Sequence, residues 1–215
     1  MTKKKIIGVT QRVDFVSPHD EYRDALDQRL INWVSQAGCI AVPIPNTLFD
    51  KSLPENTQPL LETWLNVINI DAVILSGGND IGDIKHRDLT EKYLLSWSEK
   101  HKNPVLGICR GMQMMGTYAG EKLVAVNGHV KTCHKLNLKI GNNSLLPFSV
   151  NSYHNFALNN CPNSYQILAK SDDNSIEAIK HKKLPWEGWM WHPERDERFL
   201  EIHHERFKEL INIEI

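Results

Sequence analysis

The segment around Cys109 has the residue types and spacing of a nucleophile at a sharp turn. An apolar run, Pro104 to Ile108, predicts a short buried strand, and a helical stretch is predicted from Arg110 to about Tyr118. Between them, Gly107, Cys109 and Gly111 form the G-x-C-x-G pattern of a nucleophile elbow, whose strained backbone needs small neighbours. A sulfur at a helix N-terminus is favoured as the thiolate. The pattern predicts a catalytic cysteine; the alternative is a buried structural cysteine beside packing glycines.

A histidine near the C-terminus is a candidate base for this cysteine. His192 follows the apolar strand predicted from Gly188 to Trp191, and Pro193 ends that strand. Glu194, two residues further on, could accept the imidazole N–H and set the tautomer of the ring. The alternative interpretation is a histidine at a strand end beside a surface glutamate.

Two glycines follow another predicted strand, Ala72 to Leu75. Gly77 and Gly78 would let the backbone approach a ligand closely, and ligands of open α/β sheets bind at the C-terminal ends of the strands. One of their N–H groups, together with the N–H of Arg110, could form an oxyanion hole. A plain tight turn is the alternative.

The alternation of apolar strands and helices in the first half predicts the fold class. Four strand-helix repeats indicate an α/β protein with a mostly parallel central sheet, right-handed crossovers and helices on both faces. After Gly120, short strands between turn residues predict a smaller mixed or antiparallel sheet. The helices predicted along the chain are Tyr22 to Ala37, Pro59 to about Val67, Asp88 to Lys100 with Asp88 as its cap, the elbow helix, and Glu197 to Asn212.

Length, charge and cysteine usage narrow the class of protein. The 215 residues are 41% hydrophobic, which suits a single domain over 1–215. A formal net charge of −1 gives no reason to expect nucleic acid as a partner. The four cysteines form no CxxC pair, and no stretch is long enough to span a membrane, so we expect a cytoplasmic protein without a membrane partner. A monomer and a homodimer both remain open.

Four motifs occur together and in a fixed order. They are G-I-C-R-G around Cys109 with Gln113 four residues on, S-G-G before it, N-S-Y-H at 151–154, and W-H-P-E at 191–194. On these motifs the chain resembles the class I, triad-type glutamine amidotransferases, and more narrowly their stand-alone γ-glutamyl hydrolase branch. The resemblance extends over nearly the whole chain. It implies a flavodoxin-like three-layer sandwich and an enzyme that hydrolyses a γ-glutamyl amide through a thioester, with no cofactor.

The resemblance also implies a role for each matching residue. Cys109 matches the nucleophile, His192 the base and Glu194 the third member of the triad. The backbone of Arg110 and that of Gly77 or Gly78 match the oxyanion donors. The residues expected to contact the small-molecule substrate are Gln113, Ser152, Tyr153, His154, Asn79, Arg12 and Arg87.

The leaving group is open at this point. In the loop from Asp80 to Arg87, Lys85, His86 and Arg87 could pair with phosphates if the leaving group is a nucleotide, and Arg12 and Arg23 are further candidates. An ordinary solvated surface is the alternative. A γ-aminobutyrate leaving group would need fewer cations. A glutaminase subunit that supplies ammonia to a separate synthetase, and a non-enzymatic binding module, are the competing hypotheses.

Three residues near position 130 could suggest a metal site. His129, Cys133 and His134 are close in sequence, but a fourth ligand at a fitting spacing is not evident. The sequence therefore predicts no metal.

Overall fold

The computed structural model describes residues 4–138 and 146–212. The strands, in chain order, are β1 (Ile6–Thr10), β2 (Arg12–Val16), β3 (Glu21–Ala25), β4 (Ile40–Ile44), β5 (Ala72–Leu75), β6 (Val105–Ile108), β7 (Leu123–Ala125), β8 (Val130–Lys135), β9 (Asn137–Leu138), β10 (Ser149–Tyr153), β11 (Phe156–Leu158), β12 (Tyr165–Lys170), β13 (Ile176–His181) and β14 (Trp186–Trp189). The α-helices are α1 (Gln28–Gln36), α2 (Pro59–Ile68), α3 (Lys85–His101), α4 (Arg110–Tyr118) and α5 (Glu201–Leu210).

The central sheet has eight strands in the described part of the chain, in the order β4-β1-β5-β6-β14-β13-β12-β9. The pairs from β4 to β14 are parallel, and those from β14 to β9 are antiparallel. Every residue of β5, β6 and β14 is buried, because parallel strands are covered by helices on both faces. The predicted mostly parallel sheet is confirmed.

Helices cover the two faces of this sheet in two separate clusters. On one face, Trp33 of α1 and Phe207 of α5 pack with their ring centroids 5.0 Å apart. On the other face lie Leu61 of α2, Leu94 of α3 and Met112 of α4. The three-layer sandwich predicted from the sequence is therefore present. Among the described residues, the helices are all too short or too polar to cross a membrane.

The predicted smaller sheet is divided into separate ribbons. Two-stranded antiparallel ribbons pair β2 with β3, β7 with β11, and β8 with β10. The antiparallel strands β13, β12 and β9 join the central sheet instead. The ribbon of β8 and β10 matters most for function, because it brings the N-S-Y-H segment to the central sheet.

Three helix starts differ from the prediction. The segment from Tyr22 to Ala25 belongs to β3, and α1 begins only at Gln28, because the Asp27 carboxylate accepts the N–H of Arg29 at 2.9 Å and caps the helix there. Helix α3 begins ahead of Asp88, whose carboxylate accepts the N–H of Gly82 at 2.9 Å. Helix α5 begins four residues later than predicted.

Candidate active site

The turn between β6 and α4 has the strained backbone expected of a nucleophile elbow. Cys109 has φ 52° and ψ −106°, a sparsely populated conformation for a residue with a side chain. Neither flanking glycine could carry a Cβ: at Gly111 it would lie 2.1 Å from the carbonyl oxygen of Leu75, and at Gly107 it would lie 2.7 Å from the N of Met112. The neighbouring backbone therefore leaves room only for glycine at both positions of the motif.

The order of strands brings the histidine to the cysteine. Strand β14 pairs in parallel with β6, with Trp189 opposite Ile108, and the N–H of Cys109 donates to the carbonyl of Trp189 at 2.7 Å. Chain segments that leave the ends of adjacent parallel strands emerge side by side. The side chains of His192 and Cys109 are consequently within hydrogen-bonding reach of each other.

His192 is held from both its ring and its backbone. Its Nδ1 lies 2.6 Å from Oε1 of Glu194, and both side chains are almost fully buried. The Asn151 side chain on β10 accepts the N–H of His192 at 3.0 Å and donates to its carbonyl oxygen at 2.7 Å. Asn151 therefore fixes the backbone of His192; the sequence placed it in the N-S-Y-H motif but gave no sign of this contact.

The surroundings of His192 favour the imidazolium. Burial alone would lower its pKa, but the charges of Glu194 and of the Cys109 sulfur, and hydrogen bonds to both, outweigh it and raise the pKa from 6.5 to about 9. At neutral pH the ring is thus protonated, with its positive charge beside the sulfur of Cys109.

A buried arginine holds the glycine turn after β5. The guanidinium of Arg87 donates to the carbonyl oxygens of Ser76 at 2.6 Å and Gly77 at 2.9 Å. Because a trans peptide directs its C=O and N–H to opposite sides, the N–H of Gly78 faces away from Arg87. His192 approaches the turn closely enough that a Cβ at Gly77 would lie 2.5 Å from its ring.

A network of ion pairs connects this turn to the elbow helix. The Arg110 side chain pairs with Asp88 at 2.5 Å and with Glu91, and Arg87 also pairs with Glu91, at 3.1 Å. All four side chains are buried or nearly so, and removing one member would leave an uncompensated charge in the protein interior. The side chain of Arg110 is therefore structural, while its N–H lies ahead of the first helical hydrogen bond, which Gln113 donates.

A cavity of about 240 Å³ opens beside His192. Its wall includes both glycines of the turn and residues from β2, from α1 and from the chain after β14. The charged residues that line it are Arg12, Asp14, Asp27, Glu194 and Arg195.

Comparisons with known proteins show the family to which the chain belongs. Residues 28–205 match the family model described as glutamine amidotransferase class-I. The chain belongs to the class I glutamine amidotransferases. It is therefore an enzyme, a hydrolase of glutamine-type amides, and the family resemblance seen in the sequence is confirmed.

Individual relatives fit the same family. The chain is 34% identical to γ-glutamyl-CDP-amidate hydrolase of Campylobacter jejuni over 88% of this chain and 90% of that protein. It is 31% identical to a subunit of the glutamine-hydrolysing GMP synthase of Methanocaldococcus jannaschii, over 65% of this chain and 72% of that one. A glutamine amidotransferase structure from Thermotoga maritima has the same fold, with a TM-score of 0.64 and 14% identity over 98% of this chain and 85% of that one.

Two of the residues expected to contact substrate, Arg12 and Tyr153, lie at the cavity or beside His192 in this amidotransferase. Arg12 lines the cavity, with its side chain 49% exposed and paired with Asp14 at 2.8 Å. Tyr153 lies edge-on to His192, with ring centroids 5.9 Å apart, and the Arg195 guanidinium lies over its ring at 4.6 Å. The ring of Tyr153 is therefore part of the immediate surroundings of the base.

The side chains of Arg87 and Asn79, which were predicted to contact substrate, are paired with the backbone of the protein itself. The side chain of Arg87 is fully buried and holds the glycine turn, so it is not available to a phosphate. The Asn79 amide is paired with the backbone of Val13, accepting its N–H at 2.9 Å and donating to its carbonyl at 2.8 Å. Both residues position the turn after β5 against its neighbours.

The side chains of Ser152 and His154, also predicted to contact substrate, are likewise paired within the protein. The Ser152 hydroxyl is buried and donates to the carbonyl of His129 at 2.7 Å. His154 is buried with its ring beside that of His129. Gln113 is likewise buried, and its amide nitrogen donates to the carbonyl of Phe156 at 2.8 Å.

Proposed function

We propose that the chain hydrolyses a γ-glutamyl amide through a covalent thioester on Cys109. The observation that carries this proposal is the strained Cys109 elbow beside a buried His192–Glu194 pair joined at 2.6 Å. A nucleophile, a base within reach and a carboxylate that orients the base are the parts that acyl transfer requires. A binding module would have no chemical need for all three, so this geometry favours the enzyme.

The first half of the reaction forms the thioester. The Cys109 thiolate attacks the γ-carbonyl carbon of the substrate, and negative charge moves to the carbonyl oxygen. The N–H groups of Arg110 and Gly78 are the proposed donors to that oxygen, since Arg87 turns the N–H of Gly78 away from itself. The C–N bond then breaks, and the His192 imidazolium gives its proton to the leaving nitrogen.

The second half releases glutamate. His192, now neutral, takes a proton from water, and the resulting hydroxide attacks the thioester carbonyl. Collapse of the tetrahedral intermediate expels the Cys109 thiolate and leaves glutamate as product. Glu194 keeps the proton of His192 on Nδ1 in the neutral state, so that Nε2 is the nitrogen that exchanges protons with substrate and water.

The raised pKa of His192 predicts the alkaline limb of the pH profile. A pKa raised from 6.5 to about 9 keeps the imidazolium present at neutral pH and loses it as pH rises through about 9. We expect kcat/KM to fall above about pH 9. In Glu194→Gln the carboxylate charge is lost, so this limb should move toward lower pH. Glu197→Gln, a nearby exposed substitution, is the control. If the alkaline limb had the same midpoint in the wild type and in both variants, its assignment to His192 would be contradicted.

We further propose γ-glutamyl-CDP-amidate as the substrate, cleaved to glutamate and cytidine diphosphoramidate. The similarity to the Campylobacter jejuni hydrolase, over nearly the full length of both chains, supports it. Exposed basic side chains also support a phosphorylated leaving group. Arg12 lies against Gly78. Lys51 and Lys85, together with Asp24 and Asp83, line a second cavity of about 450 Å³ beside the β2–β3 ribbon.

Glutamate release from three substrates by the isolated protein tests this proposal. The substrates are γ-glutamyl-CDP-amidate, γ-glutamyl-γ-aminobutyrate and glutamine. Arg12→Gln should raise KM for the nucleotide substrate by about ten- to a hundredfold, because a charged hydrogen bond to phosphate is worth about 1.5–3 kcal/mol, and should leave KM for the aminobutyrate substrate unchanged. Arg29→Gln is the matched control: Arg29 also pairs with an aspartate two residues away, at 2.7 Å, but does not line the cavity.

The outcomes separate the competing functions. Turnover of the aminobutyrate compound alone would replace the proposed leaving group with that amine. Hydrolysis of glutamine only after addition of a synthetase would favour an ammonia-supplying subunit. No turnover of any of the three would contradict the proposed substrate.

A further inference from the structure

Strands β8, β10 and β13 bring a second group of chemically reactive side chains together. His129 immediately precedes β8, His134 lies on β8, His154 follows β10 and Glu177 lies on β13. One side-chain ligand atom from each of the four lies within 4.8 Å of the others. The sequence suggested His129, Cys133 and His134 as possible ligands. The cluster contains the two histidines of that set, and His154 and Glu177 come from distant segments.

Glu177 carries a buried carboxylate that has no hydrogen bond among the described residues. Its side chain is fully buried, and neither carboxylate oxygen has a hydrogen-bond partner in the described part of the chain. Ring nitrogens of His129 and His154 each lie 3.7 Å from Oε1. Buried carboxylates in folded proteins are paired or bind metals, since desolvating an uncompensated charge costs several kcal/mol.

The outer hydrogen bonds fix which ring nitrogens carry protons. Nε2 of His129 lies 2.8 Å from a carboxylate oxygen of Asp173, and Nδ1 of His154 lies 3.0 Å from the carbonyl of Phe156. Both oxygens accept, so both of these nitrogens carry hydrogen in the neutral rings. The two remaining nitrogens then face each other as lone pairs 3.3 Å apart, next to Glu177. Metal-binding histidines have this arrangement, with the outer N–H donated to a carboxylate or carbonyl.

We propose that His129, His134, His154 and Glu177 form a binding site for a divalent transition-metal ion, with Zn²⁺ as the favoured ion. Tetrahedral zinc with bonds of about 2.0–2.1 Å needs ligand atoms about 3.4 Å apart. Three of the observed separations are 3.3, 3.7 and 3.7 Å. Nε2 of His134 is buried without a hydrogen-bond partner and is the fourth ligand. A set of imidazoles with one carboxylate selects zinc over the oxygen-preferring calcium and magnesium.

Such an ion would cross-link the β8–β10 ribbon to the central sheet. His129 and His134 would connect the ribbon to Glu177 of β13 through one centre. Strand β10 also carries Asn151, whose side chain fixes the backbone of His192. The site is closed by four protein ligands, which is typical of a structural rather than a catalytic zinc. The proposal of metal binding does not depend on the substrate or on the reaction proposed above.

The test measures metal binding directly on the full chain. After treatment with a chelator, the protein receives equimolar Zn²⁺ or Co²⁺ and is passed through a desalting column. We expect the wild type to retain about one zinc per chain and to give the intense visible absorption of four-coordinate Co²⁺. Glu177→Gln and His134→Ala should each weaken zinc affinity by at least about tenfold in a chelator competition.

Two variants outside the cluster serve as controls. His101→Gln removes an exposed histidine, and Cys133→Ser removes the exposed thiol next to His134; both should bind zinc like the wild type. The cobalt spectrum is read on the wild type, so it does not depend on a variant folding. The proposal would be overturned if the wild type retained no more zinc than Glu177→Gln, or if the cobalt spectrum lacked four-coordinate bands. Either result would favour a cluster in which the histidines and Glu177 share a proton instead of a metal ion.

Discussion

We expect Cys109→Ser to lower kcat by about 10⁴-fold or more and to leave the fold unchanged. Serine fits the elbow, because it is nearly isosteric and the strained φ of 52° is set by the surrounding backbone. The hydroxyl of serine has a far higher pKa than a thiol. It therefore stays protonated at neutral pH, even beside the imidazolium of His192. The variant therefore keeps the site and loses the nucleophile.

The same experiment needs a control for the loss of any thiol. Cys133→Ser removes an exposed cysteine and should leave turnover unchanged. Thermal unfolding of both variants shows whether the fold is retained, and mass spectrometry of rapidly quenched wild type should detect a γ-glutamyl group on Cys109. If Cys109→Ser kept more than about a hundredth of wild-type kcat, the thioester mechanism would be wrong.

The elbow could be predicted from the sequence because its determinants are local. A buried apolar run, two glycines and a helix-forming segment within 15 residues are sufficient, and α4 begins and ends where the pattern predicted. The first helix was predicted too long for a similarly local reason. The stretch from Tyr22 to Ala25 fits a helical stripe, but it pairs with β2 as a ribbon, and Asp27 caps the helix that follows.

The direction of polar side chains was not predictable from the motifs alone. Arg87, Asn79 and Ser152 all lie in segments that approach the site, yet each donates to backbone carbonyls of neighbouring segments. A motif shows that a segment is near the site but does not show which face of the strand each residue occupies. That depends on the register between β8 and β10, which places Ser152 opposite Thr132.

The order of strands in the second half could not be predicted from the sequence either. Nothing local indicates that β14, the last strand, lies next to β6 and so brings His192 to Cys109. The same long-range pairing places Glu177 of β13 beside the histidines of the β8–β10 ribbon. Ligand spacing along the chain therefore argued against a metal site that the folded arrangement favours.

Gly111→Ala should be severely destabilising, because the elbow has no room for a single methyl group. A Cβ at Gly111 would lie 2.1 Å from the carbonyl oxygen of Leu75, a backbone atom of the central sheet that cannot rotate away. Overpacking of this kind costs about 1–3 kcal/mol or more of unfolding free energy. We expect the Tm to fall by several degrees. In the protein that remains folded, displacement of the elbow by about 1 Å should lower kcat by about 10²-fold.

Gly116→Ala is the matched control for that substitution, on the same helix. Its Cβ would also meet an atom at 2.1 Å, but that atom is a terminal methyl of Leu158, which can turn aside. Alanine is also the better helix former, by about 1 kcal/mol, which offsets part of the repacking cost. Gly116→Ala should therefore stay close to wild type in Tm and kcat. Equal losses in the two variants would show that helix packing in general, rather than the backbone of the elbow, limits this site.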